Sequence, residues 1–277
     1  MPAHTGTGAP FPLTLLISTY NWPEALALVL ASVRAQRVLP DEVVIADDGS
    51  RAPTRDLIAR EARTFPVPLV HVWHEDTGFR LAAIRNRAIA AATGRYLVQI
   101  DGDILLHPGF VAAHRAHARP GSWVQGSRAL LGEQVSRRLL AGESVALGPF
   151  MQDLNHRPNA FHAPWLAPFV RGPQDPMTRV RGAHMAFWRD DLVRTNGYDE
   201  EIEGWGREDS ELATRLDHLG VRRRNLKFAA VAYHLWHPQA NFDAIERNHE
   251  RLLRTRRERL TRAARGLDQY LSPEDTP

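Results

Sequence analysis

The chain has 277 residues, 43% of them hydrophobic and 24% charged, which suits one large globular domain and excludes a disordered chain. It contains no cysteine, which excludes a disulfide scaffold, a thiol nucleophile and any thiolate-bound zinc or iron–sulfur centre. With 35 basic and 32 acidic residues the net charge is +3, too balanced to point to nucleic acid.

In chain order, residues 1–12 read as a disordered lead-in without the charged and apolar regions of a secretory signal. No run of eighteen apolar residues follows, so no segment is predicted to span a membrane. Leu13–Ser18 is a continuous apolar run of strand length, the pattern of a buried parallel strand, and it ends in Thr19, Tyr20 and Asn21. Pro23 suits a first helical turn, and Glu24–Gln36 reads as a helix. Glu42–Ala46 is a second buried strand running into Asp47-Asp48-Gly49-Ser50, with a helix from Thr54 to Arg63 behind it. Pro68–Trp73 is a third strand, and Leu81–Thr93 a helix stopped by Gly94. Arg95–Ile100 is a fourth strand, ending in Asp101-Gly102-Asp103.

Four strand–helix units in succession predict an α/β fold with a mostly parallel sheet and right-handed crossovers. Ligands of such sheets bind beyond the carboxyl ends of the strands, where three of these four strands carry polar clusters. Beyond them the pattern loosens. Leu147–Met177 holds six prolines and is predicted to be a long loop or lid. Gly182–Trp188 can form a strand, and Glu208-Asp209 opens a helix that runs to Leu219 after Gly204-Trp205-Gly206-Arg207. Leu226–Tyr233 is β-rich and leads to His234 and His237. Asn241–Leu271 is predicted to be one charged helix with Ile245, Leu252, Leu260 and Leu267 at near-heptad spacing, carrying eight arginines against four acids over 246–268. Its basic face suggests docking on anionic lipid, with packing against the domain as the plain alternative.

The acidic clusters carry the chemistry. Two carboxylates on one turn, separated by a glycine that allows close approach, suit an oxygen-liganded divalent metal shared with a diphosphate. A carboxylate of Asp47-Asp48 would bond a nucleobase or ribose. Arg85, a fork-shaped donor, would reach a diphosphate or nucleoside. An indole beside two acids, as in Trp205 with Glu208 and Asp209, is suited to stacking a sugar and deprotonating its hydroxyl. A histidine is the natural further ligand of a metal site in a protein without thiols; His234 is nearer the strand, and His237 is the alternative.

In this order the motifs resemble family 2 glycosyltransferases of the GT-A fold: Thr19-Tyr20-Asn21, Asp47-Asp48-Gly49-Ser50, Ile84-Arg85-Asn86 and Asp101-Gly102-Asp103. Gly204-Trp205-Gly206-Arg207-Glu208-Asp209 resembles a motif of the galactosyltransferase and chondroitin-polymerase group. The resemblance implies an inverting, metal-dependent enzyme using Mn²⁺ or Mg²⁺. It would move sugar from a nucleotide-sugar donor, expected to be a UDP-sugar, to a glycan or glycolipid acceptor. Residues 13–125 would then bind the donor through Thr19, Tyr20, Asn21, Asp47, Asp48, Arg85 and Asp101. Residues 126–238 would bind the acceptor, with Trp205 and Glu208 touching it and Asp209 as base. The metal would sit on Asp103 and His234, and 239–277 would form the basic helix and tail. By family analogy the role lies in bacterial cell-surface polysaccharide or lipopolysaccharide synthesis, in the cytoplasm or peripherally at the inner membrane. The processive Gln-x-x-Arg-Trp motif is missing. Two rivals are a nucleotidyltransferase, which would want a Gly-rich loop after the first strand, and a non-catalytic nucleotide-sugar or glycan binder on the same fold.

Overall fold

The computed structural model describes residues 11–173, 175, 178–238 and 243–272. The first half alternates as the sequence predicts: β1 (Leu13–Thr19), α1 (Pro23–Arg34), β2 (Glu42–Asp47), α2 (Ala52–Ala62), β3 (Leu69–Trp73), α3 (Leu81–Ala91) and β4 (Tyr96–Asp101). It continues with β5 (Ile104–Leu106), α4 (Phe110–His117), β6 (Ser122–Gly126), β7 (Ala129–Leu131), α5 (Glu133–Leu140) and β8 (Leu154–Asn155). After two short 3-10 turns come β9 (His184–Trp188), α6 (Arg189–Thr195), α7 (Glu208–His218), β10 (Arg222–Leu226), β11 (Ala232–His234) and α8 (Ile245–Arg257).

One seven-stranded sheet runs in the order β10-β6-β9-β4-β1-β2-β3, and a four-stranded sheet in the order β5-β11-β7-β8. The pairs β3–β2, β2–β1 and β1–β4 are parallel, and β9 joins β4 and β6 antiparallel. Both faces of the large sheet are covered, so its central strands are mostly apolar and their apolar residues divide by parity. Leu13, Leu15, Ile17, Val43, Ile45, Tyr96, Val98 and Ile100 face one core. Leu16, Val44, Ala46 and Leu97 face the other. Helix α1 buries Ala25, Leu26, Val29, Leu30 and Val33, a single stripe at helical spacing, after Pro23 at its start.

Parallel register brings the strand ends level: Thr19 lies beside Asp47, and Ser18 beside Asp101. The polar clusters, far apart in sequence, therefore share one edge. Gly102 has a packing reason as well as any ligand-facing one. Its N–H donates to the Ser18 carbonyl at 2.6 Å, and a Cβ there would stand 2.8 Å from that oxygen.

Three expected elements differ. The charged helix predicted over Asn241–Leu271 closes at Arg257; Arg259 takes φ 51°, and Leu267–Gln269 forms a separate 3-10 turn. Its start at 241–242 lies outside the described residues. Leu252 and Leu267 are fully buried in the protein's own core, and Thr255 of α8 bonds Glu211 of α7, so the apolar seam is used internally. Leu226–Tyr233 is split between β10, which pairs with β6, and β11, which pairs with β5 and β7. Phe11, assigned to the lead-in, packs its ring on Tyr96 and Trp188 at 5.6 and 5.0 Å. Most of the lead-in, residues 1–10, lies outside the described residues.

Candidate active site

A cleft of about 1110 Å³ opens at the carboxyl edge of the large sheet. Its walls include Thr19, Tyr20, Asp48, Asp101, Asp103, Trp205, Glu208, Asp209, His234 and His237, so most of the residues singled out from the sequence meet here.

At its floor, Asp103, His234 and His237 each offer a ligand atom, all within 4.8 Å of one another. His234 Nε2 is 3.4 Å and His237 Nε2 3.3 Å from Asp103 Oδ2. The sequence left a choice between the two histidines; the turn after β11 brings both. Asp103 Oδ1 is buried with no hydrogen-bond partner, an arrangement that suits a cation. Burial lowers His234, whereas the bond to Asp103 raises His237. One carboxylate and two imidazoles form a donor set that fits a divalent transition-metal ion.

Asp47 and Asp48 divide their work. Asp47 is fully buried; its Oδ1 accepts the Ser50 N–H at 2.8 Å and its Oδ2 lies 2.9 Å from His71 Nε2. It shapes the turn behind the cleft, while its neighbour Asp48 stands on the cleft wall. Asp48 Oδ1 lies 2.6 Å from His74 Nε2, and Oδ2 accepts the Arg80 N–H at 3.0 Å. Gly49 sits at φ +96° and a Cβ there would stand 2.7 Å from the Asp76 Cα, so the turn requires glycine. Asn21, at φ 47°, is a fastener too: its N–H donates to Ser50 Oγ and its Oδ1 accepts the Arg51 N–H. Tyr20 is half exposed at the rim and donates to Asp76 at 2.9 Å.

Arg85 is 1% exposed, and its guanidinium is engaged by Ser18 Oγ through Nε at 3.2 Å, Asp101 through Nη2 at 3.0 Å and Glu208 through Nη1 at 3.2 Å. It ties the Asp101–Asp103 turn to the start of α7 at the cleft wall. The sequence shows a helix arginine; only the fold shows that α3 lies between those two elements.

The start of α7 is built on Gly204, Gly206 and Arg207, all at positive φ of 76°, 96° and 82°. Asn248 of α8 clamps it by donating to the Glu203 and Gly206 carbonyls. Asp209 Oδ2 accepts the Gly182 N–H at 2.7 Å, and Oδ1 accepts the Ser210 N–H at 2.6 Å, which fixes the carboxylate in one orientation. Glu208 is 8% exposed, and its Oε2 is buried without a partner. Burial, and then the neighbouring Asp209 charge, push Glu208 up to about 7. His71 and His74 behind the acidic turn, and Arg128 and Arg181 on the cleft wall, carry no sequence signal beyond residue type.

The sequence matches the family model described as glycosyl transferase family 2 over residues 14–133, and that described as the N-terminal domain of galactosyltransferase over 170–238. Chondroitin synthase of Escherichia coli is 27% identical over 238 residues, covering 80% of this chain and 34% of that protein. Validoxylamine A glucosyltransferase of Streptomyces hygroscopicus subsp. limoneus is 28% identical over 244 residues, covering 76% and 48%. The chain thus spans between a third and a half of these relatives' lengths. Among solved structures, the mannosyltransferase PcManGT from Pyrobaculum calidifontis, in complex with GDP-Man and Mn²⁺, superimposes with TM-score 0.56 at 22% identity. That match covers 88% of this chain and 62% of the other. TarS of S. aureus gives TM-score 0.61 at 15% identity, covering 94% and 41%. The fold is that of GT-A glycosyltransferases, a mixed α/β domain with a mostly parallel sheet flanked by helices. The two sequence matches lie on the two walls of the cleft, so residues 14–133 are similar to glycosyl transferase family 2 and residues 170–238 to the N-terminal domain of galactosyltransferase.

Proposed function

We propose that the protein transfers a sugar from a nucleoside-diphosphate sugar to a hydroxyl of a glycan or glycolipid, with inversion at the anomeric carbon. The observation that carries the reading is the pairing, in one cleft, of the Asp103–His234–His237 cluster with the backbone-anchored Asp209. Asp48 and Tyr20 lie where they can hold the nucleoside. A divalent cation on Asp103, His234 and His237 would neutralise charge developing on the leaving diphosphate. Asp209 then removes the acceptor proton while that oxygen attacks the anomeric carbon from the face opposite the diphosphate. Its two backbone N–H bonds keep it aimed. The orphaned Oε2 of Glu208 would take a second acceptor hydroxyl, and Trp205 would stack on the sugar face. Arg85 holds Glu208 in place.

Incubation with UDP- and GDP-sugars and Mn²⁺ tests the reading. Sugar transfer, or slow donor hydrolysis without acceptor, supports it; pyrophosphate release would indicate nucleotidyl transfer, and binding without turnover a non-catalytic protein. Asp103→Ala should abolish the Mn²⁺ dependence of nucleoside diphosphate binding in a folded protein, and unchanged dependence would sink the metal assignment.

A further inference from the structure

Three arginines of the second half line the cleft with no ion-pair partner among the described residues: Arg128 beyond β6, Arg181 before β9 and Arg207 at the start of α7. The Nε atoms of Arg128 and Arg207 are buried and make no hydrogen bond. Arg181 spends one bond on the adjacent Val180 carbonyl, at 3.0 Å. Arg85, in the same cleft, is by contrast held by three side chains. Burial holds Arg128 below its ordinary value and the nearby Arg181 charge adds to the cost, offset in part by Asp101 and Asp103. Arg128 is half-buried and Arg181 exposed on the same wall, and an anion bound between them would relieve the repulsion of these two like charges.

Their positions say which substrate would supply it. Arg181 is locked at its backbone, its N–H donating to Gln125 Oε1 and its carbonyl accepting from Gln125 Nε2, both at 3.0 Å. The next amide, Gly182, grips Asp209, and Arg207 lies two residues before Asp209. Two of the three arginines therefore flank the group that meets the acceptor hydroxyl, whereas the diphosphate belongs at Asp103.

We infer that the acceptor carries an anionic group, a carboxylate or a phosphate, read by Arg128, Arg181 and Arg207. This rests on the glycosyltransferase reading and adds the acceptor's charge to it. An arginine wall of this kind also disfavours neutral acceptors by leaving guanidinium donors unpaired.

The test keeps the donor site filled. With the full chain saturated in Mn²⁺ and UDP or GDP, binding of methyl β-glucuronide, glucose 6-phosphate and methyl β-glucoside is compared by ligand-observed NMR. At least one anionic sugar should bind roughly tenfold or more tighter than the neutral glucoside. The glucuronide and phosphate arms tell a carboxylate from a phosphate. Arg181→Gln, and independently Arg207→Gln, should cut that preference to within about threefold. Both should leave nucleoside diphosphate affinity nearly unchanged. Equal binding of charged and neutral sugars overturns the inference, as does a preference that survives in both variants. Anion binding seen only when nucleoside diphosphate is left out also overturns it, since the arginines would then serve the diphosphate. Failure of the nucleoside diphosphate itself to bind with Mn²⁺ would instead remove the underlying glycosyltransferase reading.

Discussion

Residues 13–106 and residues 122–234 feed the same large sheet but build their parts of the cleft differently. In the first stretch, functional groups stand at the ends of parallel strands, and register alone brings Thr19, Asp47 and Asp101 level. In the second, they sit where the chain leaves regular structure: the positive-φ start of α7, the Gly182 amide, the turn after β11. The first region thus presents its polar groups on backbone it would need for folding anyway. The second depends on side chains that clamp irregular backbone, among them Asn248 and Gln125, and on Arg85, which holds the Glu208 carboxylate. Lesions in the first should act mainly on donor affinity, and lesions in the second on turnover and stability.

The sharpest break of that comparison is Asp209→Asn, which keeps shape and removes basicity. It should lower kcat by roughly 10² to 10⁴ with donor affinity held, measured by steady-state kinetics and calorimetry. Near-normal turnover would hand the base to another residue, with Glu208→Gln the next to examine. Arg85→Ala comes second. It leaves the carboxylates of Asp101 and Glu208 without their shared cation and should cost about 3 kcal/mol or more in urea denaturation. A loss under about 1 kcal/mol would mean that the two regions are not tied through this residue.

Third, Asp48→Asn should weaken nucleoside binding roughly tenfold or more without touching Mn²⁺ dependence, because one charge-assisted acceptor is lost. The smallest effect is a pH slope. Burial raises Glu208 from 4.5 to about 7, so the folded state retains a proton that the unfolded chain has released. This group's contribution makes stability fall as pH rises from about 4.5 to 7. Thermal melts of Glu208→Gln should lack that contribution, and an unchanged slope would place its origin elsewhere.

The same contrast explains what could be read in advance. Buried parallel strands are apolar on both faces, so Leu13–Ser18, Glu42–Ala46 and Arg95–Ile100 stand out as short unbroken runs. β10, Arg222–Leu226, is an edge strand of three arginines, an asparagine and a leucine, and only its pairing with β6 makes it a strand. The acids of the cleft were legible because they follow recognisable strands and glycines. Their partners were not: His74 behind Asp48 and Arg85 beneath Glu208 come from elements that only tertiary packing brings close. The C-terminal seam misled because its near-heptad spacing spans two separate pieces of chain, each buried against a different neighbour.

The antiparallel pairing of β9 with β4 has a mechanical consequence. It stitches the two walls of the cleft into one continuous ladder, which leaves no hinge between β4 and β9. Rotating one wall against the other would mean breaking the hydrogen bonds between Tyr96–Ile100 and His184–Trp188 in the middle of the core. Any opening or closing of the cleft would therefore fall to the loops around it rather than to the frame. The frame behaves as a rigid jig.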